Sequence, residues 1–133
     1  MTEFSLEKHL ARQLEFSLKT FGPGPRTLGL IDHIKKELKE IEEAPADLGE
    51  WLDVMILAMD GALRAGHAPQ KIVDALVARQ TRNEERTWPD WTTQDPNKAI
   101  EHDRSGERKP ATLREALDDH GAVCRGPGCL CRD

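Results

Sequence analysis

Residues 35–54 read KKELKEIEEAPADLGEWLDV. The stretch sets Glu37 and Glu40 one helical turn apart, breaks at Ala44-Pro45-Ala46, and then sets Glu50 and Asp53 one turn apart. On a helix surface, at ~100° per residue, two residues three apart lie about 60° from each other. The link is short, so it makes the two helices antiparallel neighbours and lets the acidic pairs meet across their interface. Asp60 continues the face of Glu50 and Asp53.

Working outward, the pattern stays helical. Ala, Leu, Glu, Lys and Arg dominate, Tyr is absent, and no strand-like alternation or internal repeat occurs. Phe4, Leu10, Leu14, Leu18 and Phe21 mark a first helix, with Thr2 as its candidate cap. GPGP at 22–25 ends it. A second helix is expected from an N-cap at Thr27 to about Ala44, with Ile31, Ile34, Leu38 and Ile41 on one stripe. Pro45 stops it.

A third helix is expected from about Asp47 to Ala65. It is apolar nearly all round between Asp53 and Asp60, which predicts burial at the centre of a bundle or in a subunit interface. A fourth begins at Pro69, a favoured first-turn residue, and runs to about Arg86 with Ile72, Val73, Leu76 and Val77 inward. Irregular chain follows, with one helical turn expected near Ala99. The expected fold is all-α, a four- to five-helix bundle over residues 1–104, with an irregular extension at 105–133.

Bulk properties narrow the function classes. A chain of 133 residues is one domain by size. A net charge of −5 argues against nucleic acid or an anionic membrane as a partner. The opening MTEFSLEKHLARQLEF carries charges throughout, unlike a signal peptide. VMILAM, the longest strongly apolar run, falls far short of the ~20 residues of a membrane span. Cys124, Cys129 and Cys131 lie in the last ten residues, an odd set that forms no disulfide framework. The expected compartment is the reducing cytoplasm.

The acids on the second helix, taken alone, read as solvated partners of Lys36 and Lys39. The third helix changes the balance. Asp53 and Asp60 bracket six apolar residues, and an acid inside such a segment needs a partner or a metal. Four carboxylates together stay ionised only with cations between them. An all-oxygen set of Glu37, Glu40, Glu50 and Asp53 favours Mg²⁺ or Mn²⁺ over zinc. No Glu-x-x-His motif of a di-iron bundle is present.

Glu-x-x-Glu on one helix and Glu-x-x-Asp on the next resembles the all-α nucleoside triphosphate pyrophosphohydrolases of MazG type. FGPGPRTLGLIDHIKKELKEIEEAPADLGEWLDVMILAMDGALRAGH at 21–67, RQTRNEERTWPDW at 79–91 and DPNKAIEH at 95–102 are similar to the dATP/dGTP diphosphohydrolase branch. The MazZ enzymes of phages with 2-aminoadenine genomes belong to that branch. The resemblance covers residues 21–102. Two departures stand out: only nine residues separate Glu40 from Glu50, and Arg79 stands where the branch leads one to expect Lys.

The resemblance implies Mg²⁺-dependent hydrolysis between the α- and β-phosphates of a purine deoxynucleoside triphosphate, dGTP first and dATP second, giving the monophosphate and pyrophosphate. It implies Glu37 as general base and Asp60 as a contact to metal or sugar. It also implies a homodimer or homotetramer, in the host cytoplasm if the chain is phage-encoded.

Arg79, Asn83 and Arg86, at i, i+4 and i+7, share a face of the fourth helix. Alone that face reads as a solvated basic stripe; beside a carboxylate site it suits the outer phosphates, with Lys98 as an addition. Arg26, beside GPGPRT, is a candidate base contact. Trp88 and Trp91 read as anchors of a crossing chain before purine stackers, and His33 as a structural neighbour of Glu37. His120, Cys124, Cys129 and Cys131 do not match paired Cys-x-x-Cys zinc knuckles, so free thiols on a packed appendage are expected. Two other readings stay open: a broad or pyrimidine-directed house-cleaning hydrolase, and a non-catalytic helical interaction module.

Overall fold

A computed structural model describes residues 3–104. Four α-helices follow one another: α1 (Leu6–Phe21), α2 (Thr27–Glu43), α3 (Leu48–Arg64) and α4 (Pro69–Glu85). A short 3₁₀ turn at Trp91–Thr93 closes the element order, and no strand occurs among the described residues. The all-α expectation holds. The cysteines and His120 of the tail lie outside the described residues, as does Thr2.

Helix boundaries follow local chemistry. Ser5 caps α1, its hydroxyl accepting from the Lys8 N–H at 3.3 Å. Thr27, expected as the cap of α2, is instead its first helical residue; Arg26 holds the cap position without a side-chain hydrogen bond. Asp47 caps α3 by accepting from the Gly49 N–H at 2.9 Å. The reversal between α2 and α3 is tied by Trp51, whose indole N–H donates to the Pro45 carbonyl at 2.9 Å. Gly22 and Gly24 take φ of 83° and 89°, a left-handed conformation that admits the GPGP turn.

The chain divides into two compact units, Met1–Val73 and Asp74–Asp133. In the first, α3 packs against both α2 and α1. Leu30, early in α2, lies against Gly61, late in α3, where an added Cβ would meet Leu30 Cδ1 at 3.8 Å. The two helices are therefore antiparallel, as the short link requires. Gln13 of α1 donates to the Ile56 carbonyl at 2.8 Å and Ser17 bonds Arg64, so α1 runs alongside α3 in the same direction.

The inward line of α2 is Leu30, Ile34, Glu37 and Ile41, of which all but half-buried Ile34 are buried. That line differs from the expected Ile31–Ile41 stripe, since Ile31 and Leu38 are exposed. A carboxylate stands in the row where a bundle ordinarily places an aliphatic side chain. The matching line of α3 is Glu50, Val54, Leu57 and Gly61, all half-buried. Expected burial of α3 on most sides does not occur within one chain: Trp51, Leu52, Met55 and Ile56 are exposed.

Arg64 fastens the other end of this unit. Its side chain is 2% exposed and its partner Asp60 is 7% exposed, with Nε 3.3 Å from both carboxylate oxygens. Nη1 donates to the carbonyls of Gly22 at 2.9 Å and Gly24 at 2.8 Å. Nη2 donates to the Ser17 carbonyl and hydroxyl at 3.0 and 2.8 Å. A guanidinium, with five N–H donors in a rigid fork, can join a helix end, a turn and a carboxylate at once.

The second unit holds most of α4 and the chain after it. Trp88 donates its indole N–H to the Asn83 carbonyl at 2.6 Å and meets the His102 ring edge-on, centroids 5.5 Å apart. The Asp103 N–H reaches the Thr87 carbonyl at 2.7 Å, which returns the chain toward α4. Trp88 is 43% exposed and Trp91 76% exposed, so neither is the core anchor expected. Asp90 caps the 3₁₀ turn, and hydrogen bonds from Thr92 hold its carboxyl below the usual range. Residues near Ala99 form no helical turn; Pro96 and Asn97 form a plain turn instead.

Candidate active site

Glu37, Glu40 and Glu50 each offer a carboxylate oxygen to one group whose atoms all lie within 4.8 Å of one another. Glu37 and Glu40 come from the late part of α2, and Glu50 from the first turn of α3, so the capped reversal brings them together. Asp53, expected as the fourth member, lies outside that group. It stands one turn beyond Glu50, close enough that its charge raises the Glu37 pKa.

The three acids do not titrate as ordinary surface groups. Hydrogen bonding with Glu40 is the largest cause that pushes Glu50 up to about 7, followed by burial and the charges of Glu40, Asp47 and Glu37. Glu37 is raised for the same leading reason, then by burial and by the charges of Glu40 and Asp53, against a lowering by His33. Glu40 is lowered, because it accepts from both Glu37 and Glu50. These directions follow from three carboxyl groups sharing one site, where like charges disfavour a fully ionised set.

Two atoms test whether this set fits a metal. Oε2 of Glu37 and Oε2 of Glu50 are buried with no hydrogen-bond donor in reach. A buried carboxylate oxygen without a donor is costly, and a proton or a cation satisfies it. Three close oxygen-only donors, Glu37 buried, Glu50 half-buried and Glu40 exposed, suit a hard divalent ion. The remaining oxygen of Glu37, Oε1, lies 3.1 Å from Nε2 of His33.

The other expected residues have these surroundings. Asp60 is held by Arg64 in the joint between α1 and α3, which gives its carboxylate a structural partner. Arg26 lies over the Phe21 ring, 4.9 Å from its centroid. Arg79, Asn83 and Arg86 belong to the second unit and are half-buried; Asn83 Oδ1 accepts from Arg86 Nη1 at 3.1 Å. Lys98 is exposed in the turn after the 3₁₀ element, its N–H bonded to the Asp95 carbonyl at 3.1 Å. Arg64 escaped the sequence reading. Its signal was an Arg four residues after an acid already expected to be buried, a spacing that pairs side chains on a helix.

An all-α chain whose antiparallel hairpin gathers three carboxylates around two donorless oxygens belongs to the class of acidic-cluster helical proteins that can hold a divalent cation. The particular family follows from comparison. The model of the dATP/dGTP pyrophosphohydrolase family matches residues 9–106, so the chain belongs to that family, in accord with its MazG-like resemblance. No curated protein and no solved structure matches the chain. Among the described residues, no helix is long and apolar enough to cross a membrane.

Proposed function

We propose that the protein is a Mg²⁺-dependent pyrophosphohydrolase that converts dGTP, and also dATP, to the monophosphate and pyrophosphate. The observation that carries this reading is the convergence of Glu37, Glu40 and Glu50 with two buried oxygens lacking donors, in a chain of the dATP/dGTP pyrophosphohydrolase family. Those three residues would hold the ion, with Asp53 as a fourth ligand from the next turn. Mg²⁺ held there supplies charge neutralisation for the triphosphate and Lewis acidity at phosphorus; Mn²⁺ substitutes for it.

The chain's own chemistry then divides as follows. Water attacks the α-phosphorus, the bond from that phosphorus to the bridging oxygen breaks, and pyrophosphate leaves. Glu37 takes the proton of the attacking water, a role suited to a carboxyl whose pKa is raised above its ordinary value. Arg79 and Asn83 of α4, Arg86 just beyond its end, and Lys98 are the proposed groups for the outer phosphates; the positive charges of Arg79, Arg86 and Lys98 support this. Arg26 is the proposed contact to the base. Asp60 serves by holding Arg64 rather than by touching sugar, given their ion pair. The exposed apolar row of Trp51, Leu52, Met55 and Ile56 supports a homodimer or homotetramer.

The test is pyrophosphate release from each of the four dNTPs, with Mg²⁺ and with excess chelator. Release from dGTP and dATP only when Mg²⁺ is present is expected. Undiminished release in chelator, or none from any dNTP, overturns the reading.

A further inference from the structure

We propose that His33 is a positioning residue for Glu37: it occupies one carboxylate oxygen and so fixes the other toward the cluster. The inference rests on the metal-holding role of Glu37, Glu40 and Glu50 argued above. Four observations carry it. His33 and Glu37 stand four apart on α2, with Nε2 3.1 Å from Oε1. The histidine side chain is half exposed, 52%, while the glutamate side chain is 10% exposed. Oε2 of Glu37 is buried and meets no donor. An oxygen of Glu37 belongs to the group that Glu40 and Glu50 complete.

These facts distinguish the two oxygens of one carboxylate. A free glutamate on a helix rotates about its terminal bond and presents either oxygen equally. Here Nε2 of His33, when it carries the hydrogen, holds Oε1, so the carboxylate plane is set and Oε2 stays available to an ion. Donation needs only that Nε2 carry a hydrogen, which holds for the imidazolium and for one neutral tautomer alike. The arrangement therefore does not depend on the charge of His33.

A bland i, i+4 pair would look similar in sequence, but such pairs join two solvated side chains and leave neither oxygen orphaned. The pairing of a buried acid with an exposed imidazole is asymmetric. His33 contributes little burial of its own; its effect falls on where Glu37 points. Groups that orient ligands in this way typically change metal affinity or activity by about 10–100-fold when removed.

The experiment is Mn²⁺ binding, followed by calorimetric titration and by the electron paramagnetic signal of the free ion, in wild type, His33→Ala, His33→Gln and Glu37→Gln. His33→Ala is expected to weaken Mn²⁺ binding about tenfold and lower kcat, with KM for dGTP nearly unchanged. His33→Gln, whose amide nitrogen also donates, recovers most of both. In a Glu37→Gln background, His33→Ala adds nothing further, because the residue acts through Glu37. Circular dichroism and melting of the metal-free variants confirm that α2 is intact.

Two outcomes overturn the proposal and point to different causes. Wild-type protein that binds no Mn²⁺ removes the metal reading and the positioning role with it. Wild-type binding that His33→Ala leaves unaltered removes the positioning role alone.

Discussion

Glu37 and Glu50, on facing helices, each bury one carboxylate oxygen that no donor meets, and both are raised in pKa by the same neighbour, Glu40. The hairpin holds a concentration of negative charge that it does not itself neutralise. What the protein does follows from how that charge is relieved.

Relief by protons gives the first prediction. The folded pKa of Glu50, about 7, lies above the ordinary 4.5, so the folded metal-free chain keeps a proton that the unfolded chain has released. Glu37 acts in the same direction. Stability from these groups is fully present below the unfolded value and is lost as pH rises through the folded one. Scanning calorimetry of chelated protein should show Tm falling between about pH 5 and about pH 8. Saturating Mg²⁺ should flatten or reverse that fall, since a ligand of the folded state adds stability by mass action. A flat profile without metal counts against a shared-proton cluster.

Replacing the charge gives the second. Glu50→Gln keeps the shape, removes a repulsive carboxylate, and offers an amide N–H toward Glu40. Metal-free Glu50→Gln should melt above wild type near pH 8 while losing metal-dependent turnover. Glu37→Gln should cut kcat by about 10²–10⁴-fold, the range that a positioned base supplies. A variant at Glu50 that is more stable and fully active would separate the cluster from catalysis.

The third concerns Arg64. Arg64→Ala leaves Asp60 buried without its cation, at a cost of about 3–5 kcal/mol. Arg64→Lys should lose much of the same stability, because an ammonium lacks the fork that spans Ser17, Gly22, Gly24 and Asp60. Adding Asp60→Asn to Arg64→Ala should recover part of the loss by removing the stranded charge. Urea unfolding of the single and double variants measures this coupling, and strict additivity would contradict it.

The fourth addresses the proposed phosphate groups. Arg86→Ala should weaken dGTP by about 10–100-fold, the worth of one or two hydrogen bonds to a charged group, and dGMP far less. Binding in Ca²⁺, or with a non-hydrolysable analogue, gives the comparison. Equal weakening of both ligands would assign Arg86 to structure, through its bond to Asn83 Oδ1.

Much of this was legible in the primary structure. Pro45 and the short Ala44-Pro45-Ala46 break mark the reversal, and three-residue spacing puts Glu37 with Glu40. Which residues line the interior was less legible, because Ile31 and Leu38 are as apolar as Leu30 and Ile41. Periodicity finds an apolar stripe but cannot find an inward row that includes Glu37, since a buried acid subtracts from the very signal being sought. The Arg64 joint was hidden for a related reason. Most of its acceptors are main-chain carbonyls, which leave no trace in residue identity. The apolar character of α3 is legible in sequence, but periodicity does not tell the centre of a bundle from a subunit interface, and within one chain Trp51, Leu52, Met55 and Ile56 are exposed.

That joint has a consequence for how the gene can drift. Carbonyls exist whatever residue carries them, so Pro23 and Pro25 contribute no side chain to the fastening of the first turn. The obligation falls on three codons, those for Ser17, Asp60 and Arg64, together with glycines at the two left-handed positions. Recombination that separated residues 17–24 from residues 60–64 would break a lock whose key lies about forty residues from its keyhole. Chimeras of related chains should therefore survive crossovers beyond Arg64 more often than crossovers between Gly24 and Asp60.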